Sequence, residues 1–303
     1  MMELLPGNTL ITFIKTKYPE LSRELIRIND SGWSNLVLMV GEQFIFRFPR
    51  TENAKKVLKM EQRILPGLSH FLPLFVPNFV YSSGPGDGII HVGYPIIKGI
   101  PLQKEVLNSF TDKRREQLAQ ELGGFLTALH TYPIENAFSY AFDASGTRST
   151  WQGIYDRIKK NAFPYMDPTL KGWTDRVFTG FLSDSDSFKF SPCLLHNDFK
   201  PEHILYDPEQ KKLSGVIDFG SMWVGDPAYD FVGLHKAYGE EFAKKVIRSY
   251  GATVDHAFFK RINDFYLKVT SFWKLFHGIE TRNQDMIQVA LKKLQMIAQK
   301  DIR

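Results

Sequence analysis

His196-Asn197-Asp198-Phe199-Lys200-Pro201-Glu202-His203-Ile204-Leu205-Tyr206, followed after a turn by Val216-Ile217-Asp218-Phe219-Gly220, is the stretch whose reading decides the fold. Ile204 to Tyr206 and Leu213 to Ile217 are short apolar runs, and Asp207-Pro208-Glu209-Gln210-Lys211-Lys212 between them has the composition of a turn. The two runs read as a hairpin centred near Gln210 and Lys211. In that register His203 lies opposite Asp218, because both are equally far from the centre. Facing residues of an antiparallel pair hold their Cβ atoms about 4.5–5.5 Å apart, close enough to share one divalent ion. Asp198 would sit on the same rim, a few residues upstream.

Phosphoryl transfer asks a protein for little covalent chemistry. It needs a carboxylate that orients the attacking hydroxyl and ligands for the ion that neutralises the phosphates. An aspartate in a loop, a ligand five positions on and a second aspartate at the end of the next strand meet that need. Each residue also has a plain reading: Asp198 as a turn aspartate, His196 as a hydrogen-bonded core histidine, Asp218 as a strand-end cap. Singly these readings compete on even terms; together, at this spacing, they do not.

The pattern His-x-Asp-x-x-x-x-His, then Ile-Asp-Phe-Gly and Asp226-Pro227-Ala228-Tyr229-Asp230, resembles the antibiotic-kinase branch of the protein-kinase fold. That branch includes the aminoglycoside phosphotransferases and the macrolide 2′-phosphotransferases. The strongest likeness covers residues 190–235, with weaker matches at Ser31–Arg50, Glu61 and Tyr94–Leu102. The resemblance implies an α+β, protein-kinase-like bilobal fold. A small N-terminal lobe with an antiparallel sheet, residues 1–97, would bind the nucleotide. A larger, mainly helical lobe, residues 98–303, would carry catalysis and the acceptor. Asp198 then orients the acceptor hydroxyl or takes its proton, and Asp218 is the main Mg²⁺ ligand. His203 stands where most kinases have a metal-binding asparagine, and its imidazole is a softer donor than a carboxamide oxygen. His196 is grouped with Asp198 in the catalytic loop, where it is expected to brace rather than to move protons. Asp226 or Asp230 is expected to accept hydrogen bonds from the backbone of that loop.

The N-terminal half supplies the nucleotide side. Val37 to Val40, Gly41-Glu42 and Gln43 to Phe48 read as a hairpin, with Phe44, Phe46 and Phe48 on one face and Arg47 on the other. A helix is expected over Ala54 to Leu65, ending before Pro66-Gly67. On the resemblance, Ser31, Gly32, Ser34 and Asn35 form the phosphate-covering turn. Arg47 takes the place of the strand lysine that holds the α- and β-phosphates, with Glu61 as its partner; Arg keeps its charge and binds phosphate oxygens bidentately. Tyr94, Ile96 and Ile97 belong to the hinge that reads the base. ATP and GTP are both open as donor.

The acceptor follows from charge. Aminoglycosides are polycations, and their kinases line the acceptor pocket with carboxylates. Here the stretch after Asp218 runs Ser221-Met222-Trp223-Val224-Gly225 and, past Asp230, Val232-Gly233-Leu234-His235-Lys236-Ala237-Tyr238. A pocket lined by Trp223, Tyr229, Asp230, Tyr238 and Phe272 suits a large, mostly apolar molecule, so a macrolide is the expected acceptor. An aminoglycoside or a metabolic alcohol such as choline is the alternative. Phe46-Arg47-Phe48-Pro49-Arg50 looks more like the macrolide kinases, whereas His196-Asn197-Asp198-Phe199 looks more like the 2″ aminoglycoside class.

Composition sets the outer limits. The chain has 303 residues, 43% hydrophobic and 23% charged, which is ordinary for a folded protein. Its net charge of +5 is spread along the chain, without the clustered basic face that nucleic acid requires. No stretch approaches the roughly 20 apolar residues of a membrane span, and no signal-like start is present. The single cysteine, Cys193, reads as a core residue in a reducing compartment. A cytoplasmic monomer that binds a nucleotide and a small-molecule acceptor is the expectation. A protein kinase is disfavoured because Asp226-Pro227 follows Asp218-Phe219-Gly220 too soon for a peptide platform. A non-catalytic nucleotide-binding protein of the same fold is the competing class.

Overall fold

The computed structural model describes residues 6–30, 32, 34–84, 86–133, 135 and 146–302. It opens with α1 (Gly7–Lys17), which lies on a five-stranded antiparallel sheet of order β1-β2-β3-β5-β4. The strands are β1 (Ile26–Asn29), β2 (Asn35–Val40), β3 (Phe44–Pro49), β4 (Tyr81–Ser82) and β5 (Val92–Pro95), with α2 (Glu52–Phe71) between β3 and β4. The expected hairpin is β2–β3, paired from Val40↔Phe44 to Asn35↔Pro49. Gly41 closes it at φ 59°, a left-handed conformation that favours glycine. Phe46 and Phe48 turn toward α1 and join Leu10, Ile14, Leu36, Leu38 and Val40 in one apolar core. Arg47 points to the opposite face, as period-two alternation requires.

The helix expected over Ala54 to Leu65 is longer at both ends. Thr51 caps α2 by accepting the Ala54 N–H, and the helix runs through Pro66 to Phe71. Ile64, Leu65 and Leu68 are all fully buried, so one apolar stripe crosses the proline. Pro66 itself faces solvent. Packing outweighs the lost hydrogen bond.

After the short strand β6 (Ile100–Pro101) the chain becomes mainly helical. α3 (Lys104–Asn108) precedes α4 (Asp112–Thr131), which Thr111 caps through the Arg114 N–H as its sequence indicates. α5 (Arg148–Arg157) and α6 (Pro168–Ser183) follow. Then come β7 (Cys193–Leu195), β8 (Ile204–Asp207), β9 (Lys212–Val216) and β10 (Trp223–Gly225). α7 (Phe231–Tyr238), α8 (Glu240–Arg248), α9 (Phe272–Glu280) and α10 (Gln284–Ile302) complete the fold. β10 pairs with β7, and β6, β8 and β9 form a three-stranded sheet with β8 in the middle. A second, larger core joins these helices to the C-terminal half of α2, from Ile64 to Leu72. Among the described residues no helix is long and apolar enough to cross a membrane.

The β8–β9 hairpin forms, but not in the expected register. Ile204 faces Val216 and Leu205 faces Gly215; beyond them a bulge shifts the pairing to Tyr206↔Leu213. Ser214 is the extra residue. His203 therefore meets Ile217, whose N–H it accepts at 2.9 Å, and not Asp218. A one-residue slip reverses the faces of a strand. The site survives it because of the backbone at Asp218, described next.

Candidate active site

Asp218 has φ 65° and ψ 63°, left-handed backbone on a non-glycine residue. This turn aims its carboxylate back across the end of the hairpin, to 3.3 Å from His203 Nε2. His203 Nδ1 lies 2.9 Å from the Asp198 carbonyl oxygen, which can only accept, so Nδ1 carries the proton. In the neutral ring Nε2 is then a lone pair facing a carboxylate oxygen. A cation placed between them would be held by both. Asp198, His203 and Asp218 each offer one ligand atom, and all lie within 4.8 Å of one another. Two carboxylates and an imidazole oriented by a backbone carbonyl suit a divalent ion, with the carboxylates favouring Mg²⁺.

Asp198 is held by a braced loop. His196 is fully buried; its Nε2–H donates to the Ile217 carbonyl at 3.0 Å and its Nδ1 accepts the Asp198 N–H at 3.3 Å. Burial holds its imidazole below the ordinary value. With both nitrogens occupied, His196 is a strut between the end of β9 and the loop. Asn197 is left-handed, φ 64°, and its N–H donates to Asp230 Oδ1 at 2.7 Å. The other oxygen of Asp230 accepts the His196 N–H at 2.8 Å and His130 Nε2–H at 3.1 Å. His130 in turn accepts from the Tyr250 hydroxyl at 2.7 Å.

Asp230 is 1% exposed and fully engaged, so its expected place against the acceptor is corrected. Asp226 acts elsewhere, capping Ala228 and pairing with Arg261 and Tyr266 inside the helical region.

On the other side of the site, Arg47 and Glu61 form a buried ion pair: Nη1–H donates to Oε1 at 3.0 Å, and Nη2 lies 3.0 Å from Oε2. Burial works against the charged form of each group. The neighbouring carboxylate more than offsets this for Arg47, whereas the Glu61 carboxyl is left above its usual range. Tyr94 packs beside this pair, and burial pushes its hydroxyl up to about 12.

Of the hinge residues, Ile96 donates its N–H to the Gln43 carbonyl at 2.7 Å, so that donor is not free to read a base. Ile97 packs its side chain against Gly215 of β9. In the turn expected to cover the phosphates, Gly32 is required: a Cβ there would meet the Asn35 carbonyl at 2.7 Å. Arg50 ties the turn at both ends, through the Asp30 carboxylate and by its own N–H to the Ser34 carbonyl at 2.9 Å. Asn35 begins β2. Ser31 lies outside the described residues.

The expected acceptor residues divide. Trp223 is 38% exposed on β10, paired with Leu195 just ahead of the loop. The Tyr229 hydroxyl accepts from Trp273 Nε1 at 2.8 Å, and the ring lies within electrostatic reach of Asp198. The Tyr238 hydroxyl is spent on the Leu102 carbonyl. Phe272 is 1% exposed and packs edge-on to Phe178, so it belongs to the core and lines no cleft. Its place in α9 put an aromatic at helical spacing, and the buried stripe claimed it. Lys200, His130 and Trp273 are the residues whose roles the sequence reading passed over. Lys200 lies 2.7 Å from Asp198 Oδ2, and its position two residues on was the available signal.

Comparison with known proteins agrees with this geometry. The model of a family described as phosphotransferase enzymes matches residues 25–260. Viomycin phosphotransferase of Streptomyces vinaceus is 24% identical over 232 residues, 75% of this chain and 78% of that protein. The GDP complex of wild-type aminoglycoside 2′-phosphotransferase-IIIa superimposes with a TM-score of 0.88 at 26% identity, covering 97% of this chain and 99% of the other. The macrolide 2′-phosphotransferase type I shares the fold, with a TM-score of 0.76 at 19% identity over 97% and 99% of the two chains.

Proposed function

The chain belongs to the phosphotransferase enzyme family and transfers phosphate to a hydroxyl acceptor, and from that premise we propose that it phosphorylates an antibiotic of the macrolide kind, with ATP or GTP as donor. The observation that carries this reading is the character of the side chains next to Asp198. Trp223 is exposed on β10, Tyr229 and Trp273 form a hydrogen-bonded aromatic pair within electrostatic reach of Asp198, and α7 from Phe231 to Tyr238 carries no carboxylate. A large, mostly apolar acceptor suits such a surface, whereas a polycation finds no counter-charge on it.

An aminoglycoside is the second reading, favoured by the fit of the whole backbone to an aminoglycoside kinase, TM-score 0.88 against 0.76 for a macrolide kinase. Backbone similarity follows the scaffold and acceptor choice follows the side chains, so the aromatic surface has more weight.

In the proposed mechanism, Asp198 accepts the hydrogen bond of the acceptor hydroxyl and aligns its oxygen with the γ-phosphorus. Asp218 and His203, with Asp198 at the edge of the set, would hold Mg²⁺, which supplies charge neutralisation to the phosphates. Arg47, fixed by Glu61, presents its positive charge to the α- and β-phosphates. Gly32 and Ser34 cover them. The left-handed backbone at Asn197 and Asp218 is the strain that fixes these carboxylates, and it persists because the surrounding hydrogen bonds hold it. Proximity and orientation are thus supplied before the acceptor arrives.

The test is nucleotide consumption by the purified protein, with ATP and with GTP, against a macrolide, an aminoglycoside and choline. Turnover with the macrolide alone supports the proposal. Turnover only with the aminoglycoside keeps the mechanism and overturns the acceptor.

A further inference from the structure

We propose that Lys236 determines acceptor specificity: together with Lys293 it sets a fixed positive charge beside the path to Asp198 and turns away polycationic acceptors. The inference rests on the acceptor reading above and deepens it. Missing carboxylates only leave a polycation unheld, whereas Lys236 repels it.

Three contacts place the side chain. Gly233 of α7 packs so closely on the Asp198 loop that a Cβ there would meet the Phe199 carbonyl oxygen at 2.0 Å. The helix therefore lies directly against the residue that follows Asp198. Just ahead of α7, the Tyr229 hydroxyl accepts from Trp273 Nε1 at 2.8 Å, within electrostatic reach of Asp198. One turn beyond Gly233, Lys236 Nζ donates to the Thr270 hydroxyl. Thr270 and Trp273 belong to one turn of chain, so Tyr229 and Lys236 line the same flank of α7. Seven residues at a helical rise separate the two, about 10 Å. An acceptor of two or three rings, seated on Tyr229 and Trp273 with a hydroxyl at Asp198, reaches Lys236.

The charge at that point is uncompensated. Thr270 gives Lys236 a neutral oxygen, and among the described residues no carboxylate forms an ion pair with it. α7 supplies none, Glu240 past its end pairs with Lys244 at 2.9 Å, and Asp301 pairs with Lys268 at 2.6 Å. The charged group that does face Lys236 is a second cation, Lys293 of α10. Packing around the ammonium, and then Lys293, hold it down to about 8, so it is still protonated at neutral pH. A surface lysine swings freely on its four-carbon stem, and the Thr270 contact fixes this one in place. Discrimination between ligands is commonly built from such a repulsive element set against the wrong one. An aminoglycoside brings several ammonium groups to this flank, whereas a macrolide brings at most one.

The experiment compares wild type, Lys236→Met and Lys236→Glu for kanamycin binding, by titration calorimetry with a non-hydrolysable nucleotide present. The kcat/KM for kanamycin is measured against that for erythromycin in the same proteins. Lys113→Glu, at an exposed lysine of α4, makes the same change of net charge elsewhere. Lys236→Met should tighten kanamycin binding roughly tenfold and Lys236→Glu roughly 100-fold, with the gain shrinking as salt rises from about 0.05 to 0.5 M. The ratio of kanamycin to erythromycin kcat/KM should rise in the same order. A gain of binding cannot come from a damaged fold. Kanamycin affinity within threefold of wild type in Lys236→Glu, or an equal gain in Lys113→Glu, would overturn the inference and leave the phosphotransferase reading standing. So would wild type that binds and uses kanamycin as well as Lys236→Glu does. Failure of wild type to transfer phosphate to any acceptor would overturn that reading instead, and the calorimetry would still decide the role of Lys236.

Discussion

Asp230 Oδ1 lies 2.7 Å from the backbone nitrogen of Asn197, the left-handed residue immediately before Asp198. With the His196 N–H on its other oxygen, one buried carboxylate sets the direction in which the loop presents Asp198. Asp230→Ala would leave two buried N–H groups and His130 without their acceptor. Each unsatisfied buried donor costs about 1–3 kcal/mol, so a combined loss of roughly 2–5 kcal/mol is expected. Urea unfolding measures it. Turnover should fall by at least about 100-fold, the scale expected when a reacting group is misplaced by about an ångström. Unchanged kinetics would remove the bracing role.

The Arg47–Glu61 pair makes a separable prediction. Arg47→Ala strands a buried carboxylate, and breaking such a pair costs about 3–5 kcal/mol. Arg47→Met combined with Glu61→Met should restore most of that stability, since apolar replacements fill the space without a charge. It should not restore turnover, because the phosphates would still lack the guanidinium. A double variant that regains activity would show the pair to be structural only.

His91 gives the stability a pH dependence of known sign. The ring is fully buried between α1 and the sheet; Nδ1–H donates to the Ile89 carbonyl at 3.0 Å and Nε2 accepts from the Tyr18 hydroxyl at 2.7 Å. Burial holds its pKa below the ordinary value, with Asp87 and Lys17 as the charged groups facing it. Above the ordinary imidazole pKa, about 6.5, neither folded nor unfolded His91 carries the proton and stability is unaffected. As pH falls below that, the unfolded chain binds a proton that the folded chain refuses. Stability then drops by up to about 1.4 kcal/mol per pH unit until the folded ring titrates. Melting temperatures of wild type and His91→Gln between about pH 5 and 8 check this. The variant's curve should be flatter on the acid side.

Trp223 tests the acceptor surface. Trp223→Ala should raise KM for a macrolide by about tenfold, the cost of roughly 1.4 kcal/mol of lost contact, with the nucleotide KM unchanged. An equal rise in both constants would place the indole on the nucleotide side instead.

The sequence was most readable where chemistry and local geometry coincide. Asp198, His203 and Asp218 declared themselves by type and spacing, and the β2–β3 hairpin by alternation around Gly41. The register of β8 and β9 was misread at the turn, which is centred between Glu209 and Gln210 and not between Gln210 and Lys211; the bulge at Ser214 recovers only one residue of that offset. The site formed in spite of it, through a left-handed aspartate whose backbone no composition rule predicts. Phe272 was misplaced for another reason. Aromatic residues at helical spacing look alike whether they face the core or a cleft, and only packing tells them apart. His130 sat unnoticed beside Leu129 at the end of the apolar stripe of α4. A histidine there needs a buried partner, and Asp230 is a hundred residues away in sequence.

The most direct test of the account is single-turnover phosphoryl transfer by Asp198→Asn, measured against wild type with saturating nucleotide and acceptor. The substitution keeps the shape of the side chain and its place in the loop while removing the charge that aligns the hydroxyl. The account predicts a loss of roughly 100- to 10,000-fold in rate, the range of a positioned general base, with nucleotide binding retained. Transfer by Asp198→Asn at the wild-type rate would contradict it.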